Sequence, residues 1–530
     1  MNPVSTGDAP LGTSETVPKL LAELARRRPT KTAVVTPQES AGYADMLARS
    51  STLAAKLVTM GARKGTVVAL LLPNGGDWIW WWAACARIGA VVVPMNTFAT
   101  SVEVQRVLSH SGAHMFVAVP AFADKTYRDD LADLLGSAGP SSERRAAELP
   151  QLRRVLWLDE VETVAPDIGT DAVVAALADD VEACDVLTII YSSGSTGDPK
   201  GVVHSHGSAL RQARRLGRLT ATDEPTVLWT SMPLKWVGGL VWSFLRTAVA
   251  GGTFVTQPWF EPGAALALLS ETSVDTVTAW GPVVERMRQH PSYSDEMFGH
   301  IKGLGWLLPQ DGERPSALGM TETLGPHSGW PVSAAWDVPA GAAGSWGRAL
   351  SDMAHRIVDP ITLSDVSDGQ TGELLVRGDA LMLGLHRRER QAVFTPDGWY
   401  RTGDAAALRD GWLFFNGRLD DVIKTAGANV SPAEVQAVLE AQPTVRQAFV
   451  VGVPAAARGE DVGAVLVGDD DTLDVPTILA AARQQLASYK VPKLAVVMHE
   501  DDIPWLSSQK VDIRRLRAML VDQRNGRQPC

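Results

Sequence analysis

Short continuous apolar runs alternate along this chain with segments whose apolar residues recur every three or four positions. The runs predict strands buried on both faces at 32–36, 67–72 and 90–93. The spaced pattern predicts helices at 44–59 and 77–89, and a helix ending near Ser109. Further strands are predicted at 115–117, 154–157, 226–230, 253–256 and 274–278. Strands of this kind, separated by helices, give a layered α/β architecture. Residues 373–377 differ, because they sit among glycines and turns, and predict a small, partly antiparallel β-rich subdomain. A hairpin-like segment at 410–417 precedes a boundary near 417–421. Beyond it Ser431 can cap a helix, Pro432 suits its first position and Glu434 completes a capping box. Strands at 449–453 and 463–467 follow, so a large domain, 1–417, and a smaller α+β domain, 418–530, are expected.

The most hydrophobic stretch, 78–94, is interrupted by Arg87 and preceded by Asp77. A buried helix running into a strand accounts for it, since a membrane span needs about 20 apolar residues. For Trp80, Trp81 and Trp82 core packing is the first reading, and contact with a membrane or an acyl chain the second. A chain of 530 residues exceeds one ordinary core, so two or more domains are expected. Its 45% hydrophobic and 21% charged content is that of a soluble globular protein. The net charge of -11 argues against a general nucleic-acid binder and leaves room for a local basic groove. Cys85, Cys184 and Cys530 show no paired spacing. Neither a disulfide scaffold nor a zinc site is implied, and a cytoplasmic location is expected. No basic-then-apolar leader opens the chain, which argues against a signal peptide.

Candidate chemistry concentrates in Ser192, Ser193, Gly194, Ser195, Thr196 and Gly197, which follow an apolar run and lead through Asp198 and Pro199 to Lys200. Small residues let the backbone curl around an anion, amide and hydroxyl groups line the curl, and an ammonium closes it. That suits nucleotide phosphates. The spacing is not G-x-x-x-x-G-K-[ST], because Gly201 and Val202 follow the lysine. Taken alone, the segment reads equally as a surface linker. The Glu322 carboxylate beside Thr321 can hold a hard cation such as magnesium, or the two residues form a helix cap. Asp404, after Gly403, can accept hydrogen bonds from vicinal ribose hydroxyls or stabilise its own turn. Arg418 reaches a ribose or phosphate, or makes a surface ion pair. Lys510 precedes a segment made basic by Arg514, Arg515 and Arg517, which reads as a solvated helix face.

Taken in order, these segments resemble the motifs of the adenylate-forming (AMP-binding) enzyme superfamily, which includes acyl-CoA synthetases, peptide-synthetase adenylation domains and beetle luciferases. Residues 190–201 are similar to its phosphate loop, and Gly319, Met320, Thr321 and Glu322 to its Gly-x-Thr-Glu element. Tyr400, Arg401, Thr402, Gly403 and Asp404 are similar to its ribose-contacting turn, and 417–424 to its hinge, with 427–434 extending the match. Lys510 stands at the place of its mobile catalytic lysine. The resemblance implies ATP, Mg2+ and CoA, an adenylate-forming domain at 1–417 and a mobile lid at 418–530 with its hinge at Asp420. It implies nucleotide contacts from Ser192, Ser193, Gly194, Ser195, Thr196, Gly197, Lys200, Gly319, Met320, Thr321, Asp404, Arg418, Lys424 and Gly427. It also implies magnesium at Glu322 and catalysis by Lys510, Thr196 and Glu322. A carboxylate then attacks the α-phosphorus of ATP, pyrophosphate leaves, and the acyl-AMP passes its acyl group to a thiol. Trp236, Gly238 and Gly239, with Trp280 and Gly281, form an apolar stretch with small residues, the expected acyl pocket for a chain or ring.

Three departures stand out. There is no room before Gly319 for the turn and helix of similar enzymes, which leaves a wider cleft or hands that wall to other segments. Lys235 and Trp236 follow Pro233-Leu234, where similar enzymes carry a histidine or aromatic residue. Lys235 then faces the carboxylate, ATP or solvent, and Trp236 lines the pocket or packs in the core. Gln509 replaces the glycine before the lysine, at a cost of about 1 kcal/mol if that backbone needs φ > 0.

The expected function is that of a free-standing acyl-CoA synthetase acting on a fatty acid or another carboxylic acid. Two alternatives stand beside it: an acyl-AMP ligase loading a separate carrier protein, and a nucleotide-binding relative with little or no catalysis. No acidic residue opens the Pro233-Leu234-Lys235-Trp236 segment for an amino group, which weighs against amino-acid activation. The expected partners are small molecules, with no nucleic acid, no integral membrane segment, and a homodimer left open.

Overall fold

The computed structural model describes residues 14–135, 148–193, 199–220, 226–279, 281–299, 301, 317–330, 339, 341–419, 421, 423–425, 428–430, 432–455, 459–468, 473–486, 488–506 and 511–525. The chain forms two units, Met1–Ala354 with Arg377–Gly398, and His355–Val376 with Trp399–Cys530.

The first unit is built on two sheets. In one, Arg154–Trp157, Met115–Ala118, Val67–Leu71, Val91–Pro94 and Val186–Ser193 lie side by side and parallel. Pro199–Ser205 and Gly384–Leu385 extend that sheet antiparallel. In the other, Thr276–Thr278, Val227–Thr230, Thr253–Thr256 and Thr32–Val35 are parallel, and Ser40–Gly42 closes the edge antiparallel. Parallel strands are covered on both faces and so need unbroken apolar residues. Val91–Pro94, Met115–Ala118 and Thr253–Thr256 are buried at every position.

Helix Gly76–Arg87 packs on Val67–Leu71 and Val91–Pro94 of the larger sheet. Trp78, Trp80, Trp81 and Trp82 on this helix are all buried. Trp78 stacks on Trp82 at 6.3 Å, Trp82 meets Phe244 edge-on at 5.7 Å, and Phe244 meets Phe254 of the smaller sheet at 5.3 Å. One aromatic row therefore spans the space between the sheets, each ring contributing a large apolar area. The tryptophan run is core, and no described helix is long and apolar enough to cross a membrane.

The second unit carries a four-stranded sheet ordered Met353–Val358, Gly372–Gly378, Tyr400–Arg409 and Trp412–Arg418, the last three antiparallel. The hairpin expected at 410–417 is the end of this longer one. Its turn is Asp410 and Gly411, both left-handed with φ of 50° and 78°. A further sheet pairs Ile423–Thr425, Gly459–Val467 and Gln447–Ala455 antiparallel, with Leu494–Met498 parallel to Gly459–Val467. Helices Pro432–Glu440 and Val475–Gln485 bury Val435, Leu439, Ile478 and Ala482 in one core. Helix Ile513–Arg524 buries Leu516 and Leu520 in another. The predicted helix start at Pro432 is observed, while Ser431 lies outside the described residues. A large layered α/β unit and a smaller α+β unit are the expected fold class.

Trp82→Ala removes an inner ring of the aromatic row and is expected to destabilise the fold by about 3–5 kcal/mol. The denaturant midpoint of the full chain reads this; a loss below about 1 kcal/mol would mean that the row does not hold the sheets together.

Candidate active site

Loops at the carboxyl ends of both parallel sheets converge, the edge where α/β proteins place ligands on a rigid platform. Asn74, after Val67–Leu71, donates from Nδ2 to the Met232 carbonyl at 2.9 Å and accepts the Leu234 N–H at Oδ1 at 2.8 Å. Asn96, after Val91–Pro94, accepts a hydrogen bond from Lys235.

The segment read as an anion curl is flanked by two paired strands. Val186–Ser193 and Pro199–Ser205 pair antiparallel, with Tyr191 opposite Gly201 and half-buried Ser192 opposite Lys200. At Gly201 a Cβ would lie 2.9 Å from Ile189 Cγ2 and 3.1 Å from the Tyr191 ring, so the hairpin needs glycine there. Gly194, Ser195, Thr196 and Gly197 lie outside the described residues, and of Ser193 only the backbone is described.

Lys200 and His204 are four apart on one strand and so share a face. Both reach the turn Thr321–Thr323. Lys200 Nζ forms an ion pair with Glu322 Oε1, and His204 Nε2 lies 2.8 Å from the Thr321 carbonyl. Burial pulls His204 down to about 4, against the opposing pull of Thr321 and Glu322. The ring is therefore neutral, and Nε2 carries the proton it donates. The turn is closed by a ladder of Gly319–Met320 with Gly325–Pro326, and Leu324 is left-handed with φ of 55°. The Met382 N–H donates to the Glu322 carbonyl at 2.8 Å. Glu322 itself is buried.

This arrangement suits a magnesium triphosphate. Lys200 offers charge to phosphate oxygens, and Glu322 offers the one or two carboxylate oxygens that magnesium takes when phosphates and waters complete its shell. Among the described residues there is no cluster of three or more His, Cys, Asp or Glu. The donor set fits an ion shared with a nucleotide rather than one caged by protein.

In the second unit, Asp404 and Arg418 face each other across Tyr400–Arg409 and Trp412–Arg418. Arg418 donates to Asp404 Oδ1 and to the Thr402 carbonyl, each at 2.8 Å. Between them Gly403 is left-handed with φ of 72°, and a Cβ there would stand 3.0 Å from the Arg418 guanidinium. Thr402 Oγ1 accepts the Asp404 N–H at 3.0 Å and donates to the Leu374 carbonyl at 2.8 Å. Asp404 is thus a buried, oriented acceptor. Lys424 lies on Ile423–Thr425, with only its backbone described. Asp420, Gly427, Gln509 and Lys510 lie outside the described residues, as does the shortened segment before Gly319.

Of the expected acyl-pocket residues, Trp236 is half-buried, and Gly238 and Gly239 open an eight-residue π-helix, Gly238–Leu245. The Arg246 N–H closes it on the Val241 carbonyl, five residues back. Gly239 lies against the Pro233 carbonyl, where a side chain would overlap backbone. Gly281 starts helix Gly281–Arg288, and Trp280 lies outside the described residues. Lys235 is not at solvent: it is 8% exposed and sits 4.4 Å from the centroid of the Trp236 ring. His204, Asn74 and Asn96 are polar residues bonded to these candidate segments that the sequence does not single out. Their signal is a polar residue within or just after an apolar strand.

The chain matches a family model for AMP-binding enzyme over residues 21–386 and one for the AMP-binding enzyme C-terminal domain over 434–510. A feruloyl-CoA synthase from Amycolatopsis sp is 31% identical over 93% of this chain and 97% of its own length. The long-chain-fatty-acid–CoA ligase FadD13 of Mycobacterium tuberculosis is 28% identical over 86% of this chain and 88% of its own. Among solved structures, ATP-bound MatB from Rhodopseudomonas palustris is similar with a TM-score of 0.78 and 26% identity, covering 96% of this chain and 99% of that one.

Burial holds both His204 and His206 at about 4, below the ordinary 6.5. Between these values the unfolded chain binds more protons, so this stabilisation is complete above about pH 6.5 and is lost as pH falls toward 4. His204→Gln keeps a side-chain N–H for Thr321 but cannot titrate. It is expected to reduce the pH dependence of the urea midpoint between pH 4 and 6.5, with His206, His114 and His386, also pulled down by burial, supplying part of what remains. An unchanged slope would mean that His204 titrates normally.

Proposed function

The chain belongs to the AMP-binding enzyme family, and we propose that it is an acyl-CoA synthetase working through two half-reactions. It activates a carboxylic acid with ATP to acyl-AMP and pyrophosphate, then transfers the acyl group to the thiol of CoA and releases AMP. The observation that carries this reading is the Lys200–Glu322 pair at the root of the phosphate-side hairpin, which offers complementary charges to a magnesium triphosphate.

In the first half-reaction a carboxylate oxygen attacks the α-phosphorus and the bond to the departing pyrophosphate breaks. The acid is already ionised near neutral pH, so no base is needed. The barrier is the approach of two anions, and positioning with fixed opposite charge lowers it. Ser192, Ser193, Gly194, Ser195, Thr196 and Gly197 supply hydroxyl and N–H donors to the phosphates, and Lys200 its ammonium. Glu322 would hold magnesium together with phosphate oxygens, and the ion offsets charge on the pyrophosphate. Gly319, Met320 and Thr321 line the nucleotide, Asp404 accepts the ribose hydroxyls, and Arg418 fixes Asp404. Lys510 neutralises the reacting carboxylate and α-phosphate.

Asp420 is the hinge of the lid domain, 418–530, whose other face, with Lys424 and Gly427, serves the thiol step. Trp236, Gly238, Gly239, Trp280 and Gly281 form the acyl pocket. Its apolar, glycine-bearing wall suits a chain or a ring, and the relatives named above include a feruloyl-CoA synthase and a long-chain-fatty-acid–CoA ligase. The acidic composition and scattered cysteines favour a cytoplasmic enzyme without a nucleic-acid partner.

A panel of aliphatic, aromatic and polycyclic acids tests the reading by pyrophosphate release with and without CoA. Acid-dependent pyrophosphate release with CoA-dependent AMP release is expected. Pyrophosphate release that CoA leaves unresolved into AMP would indicate a carrier-protein acceptor, and no release with any acid a binding-only relative. Lys510→Ala is expected to slow acyl-AMP formation by about 100-fold or more, and thioester formation from supplied acyl-AMP far less. Equal loss in both half-reactions would remove this role from Lys510.

A further inference from the structure

A lysine buried away from carboxylates is costly, and proteins keep one mainly where its chemistry is used. Lys235 is 8% exposed. Its acceptor is Asn96 Oδ1, and the face of Trp236 lies at 4.4 Å. Among the described residues no carboxylate comes within ion-pair distance of it. Glu103, on helix Ser101–Ser111, is the charged group whose field reaches the amine, and it favours the protonated form. Burial outweighs that field and pulls the ammonium from its ordinary 10.5 down to about 7.

The groups in direct contact are neutral and hold the amine in place. Asn96 Oδ1 accepts the Phe98 N–H at 3.1 Å, which orients it toward the lysine. An ammonium formed here meets two stabilisers, the Asn96 oxygen and the Trp236 ring. Neither group can take its proton. Lys235 lies on the connection from Val227–Thr230 into the π-helix, in the wall assigned above to the acyl pocket. Two residues on, Val237 Cγ1 lies 3.5 Å from the position of a Gly325 Cβ, next to the turn that carries Glu322. Lys235 therefore lies two residues from a side chain that packs beside the turn carrying Glu322, on the wall assigned above to the acyl pocket.

We propose that Lys235 is the general base of the second half-reaction, taking the proton from the CoA thiol as sulfur attacks the acyl-adenylate. This rests on the acyl-CoA synthetase reading above. The Nζ lone pair accepts the S–H proton, and the sulfur pair forms the C–S bond to the acyl carbon. The C–O bond to phosphate breaks, AMP leaves with that pair, and the ammonium later returns its proton to water. A thiol with an ordinary pKa of about 8.5 is only a few per cent thiolate at pH 7, so a nearby base that is half neutral there raises the reactive fraction. The first half-reaction needs no base, so the two steps respond differently to loss of the amine.

The test uses the full-length enzyme, an acid that supports pyrophosphate release, and the variants Lys235→Met and Lys235→Arg. CoA-dependent AMP release from supplied acyl-AMP is followed from about pH 6 to 9. Acid-dependent pyrophosphate release is followed without CoA. The wild-type thioester step is expected to rise along a limb centred near pH 7. Lys235→Met is expected to slow that step about 100-fold at pH 7, with the limb moving toward about 8.5 where the thiol ionises unaided. Pyrophosphate release is expected to fall far less. Lys235→Arg, charged throughout this range, behaves like Lys235→Met.

A Lys235→Met enzyme that keeps the wild-type limb, an active Lys235→Arg, or equal losses in both half-reactions would overturn the assignment and leave Lys235 a packing residue. Wild-type enzyme with no CoA-dependent AMP release would overturn the acyl-CoA synthetase reading and this one with it. Normal wild-type turnover matched by Lys235→Met would overturn the general base alone.

Discussion

The meeting of Lys200 with Glu322 constrains the segments on both sides of the candidate site. An ammonium and a buried carboxylate from segments 122 residues apart can pair only if both backbones are held independently. On one side the hairpin is held by pairing with a parallel strand, and a slip of one residue would turn both Lys200 and His204 to the opposite face. On the other side a short glycine-bounded ladder, a left-handed leucine and the Met382 N–H fix the acidic turn. The neutral His204 ring adds a second tie without adding charge. A site that must receive a highly charged nucleotide is thereby kept at balanced charge by its own residues, since removing one partner of a buried pair leaves the other uncompensated.

How much of this is legible in the sequence depends on how local its physical cause is. Strands such as Val67–Leu71 and Val91–Pro94 are legible because burial on both faces leaves no polar position in the run. The helix Pro432–Glu440 is legible because its first turn is written in residues that suit nothing else. Ser192 to Lys200 announces its chemistry, but not that its two arms pair antiparallel at the edge of a parallel sheet. Lys235 is the opposite case. Nothing in Pro233-Leu234-Lys235-Trp236 distinguishes solvent from Asn96, which is 139 residues away in the chain. His204 and Thr321, 117 residues apart, are hidden for the same reason. Buried polar partnerships join distant segments, and a single sequence records the partners without recording the partnership.

The polar groups of the first unit also divide by charge type. Lys200 and Glu322 are a compensated pair suited to exchange partners with a metal-bound phosphate. Lys235 has neutral direct contacts, and burial outweighs the field of Glu103 in setting its protonation. The first arrangement favours electrostatic work at constant protonation, and the second favours movement of a proton. Adenylation and thioester formation ask for these two capacities in turn.

The π-helix Gly238–Leu245 has a consequence for how this segment tolerates changes of length. In an α-helix each residue advances the next by about 100°, and a five-residue closure stores one residue beyond that geometry. Deleting a single codon here would let the ordinary ladder re-form by removing one residue from the wide turn, while the helix that follows, Arg246 included, keeps its facing. A one-residue change of length is thereby absorbed inside Gly238–Leu245, and the segments beyond it stay in place.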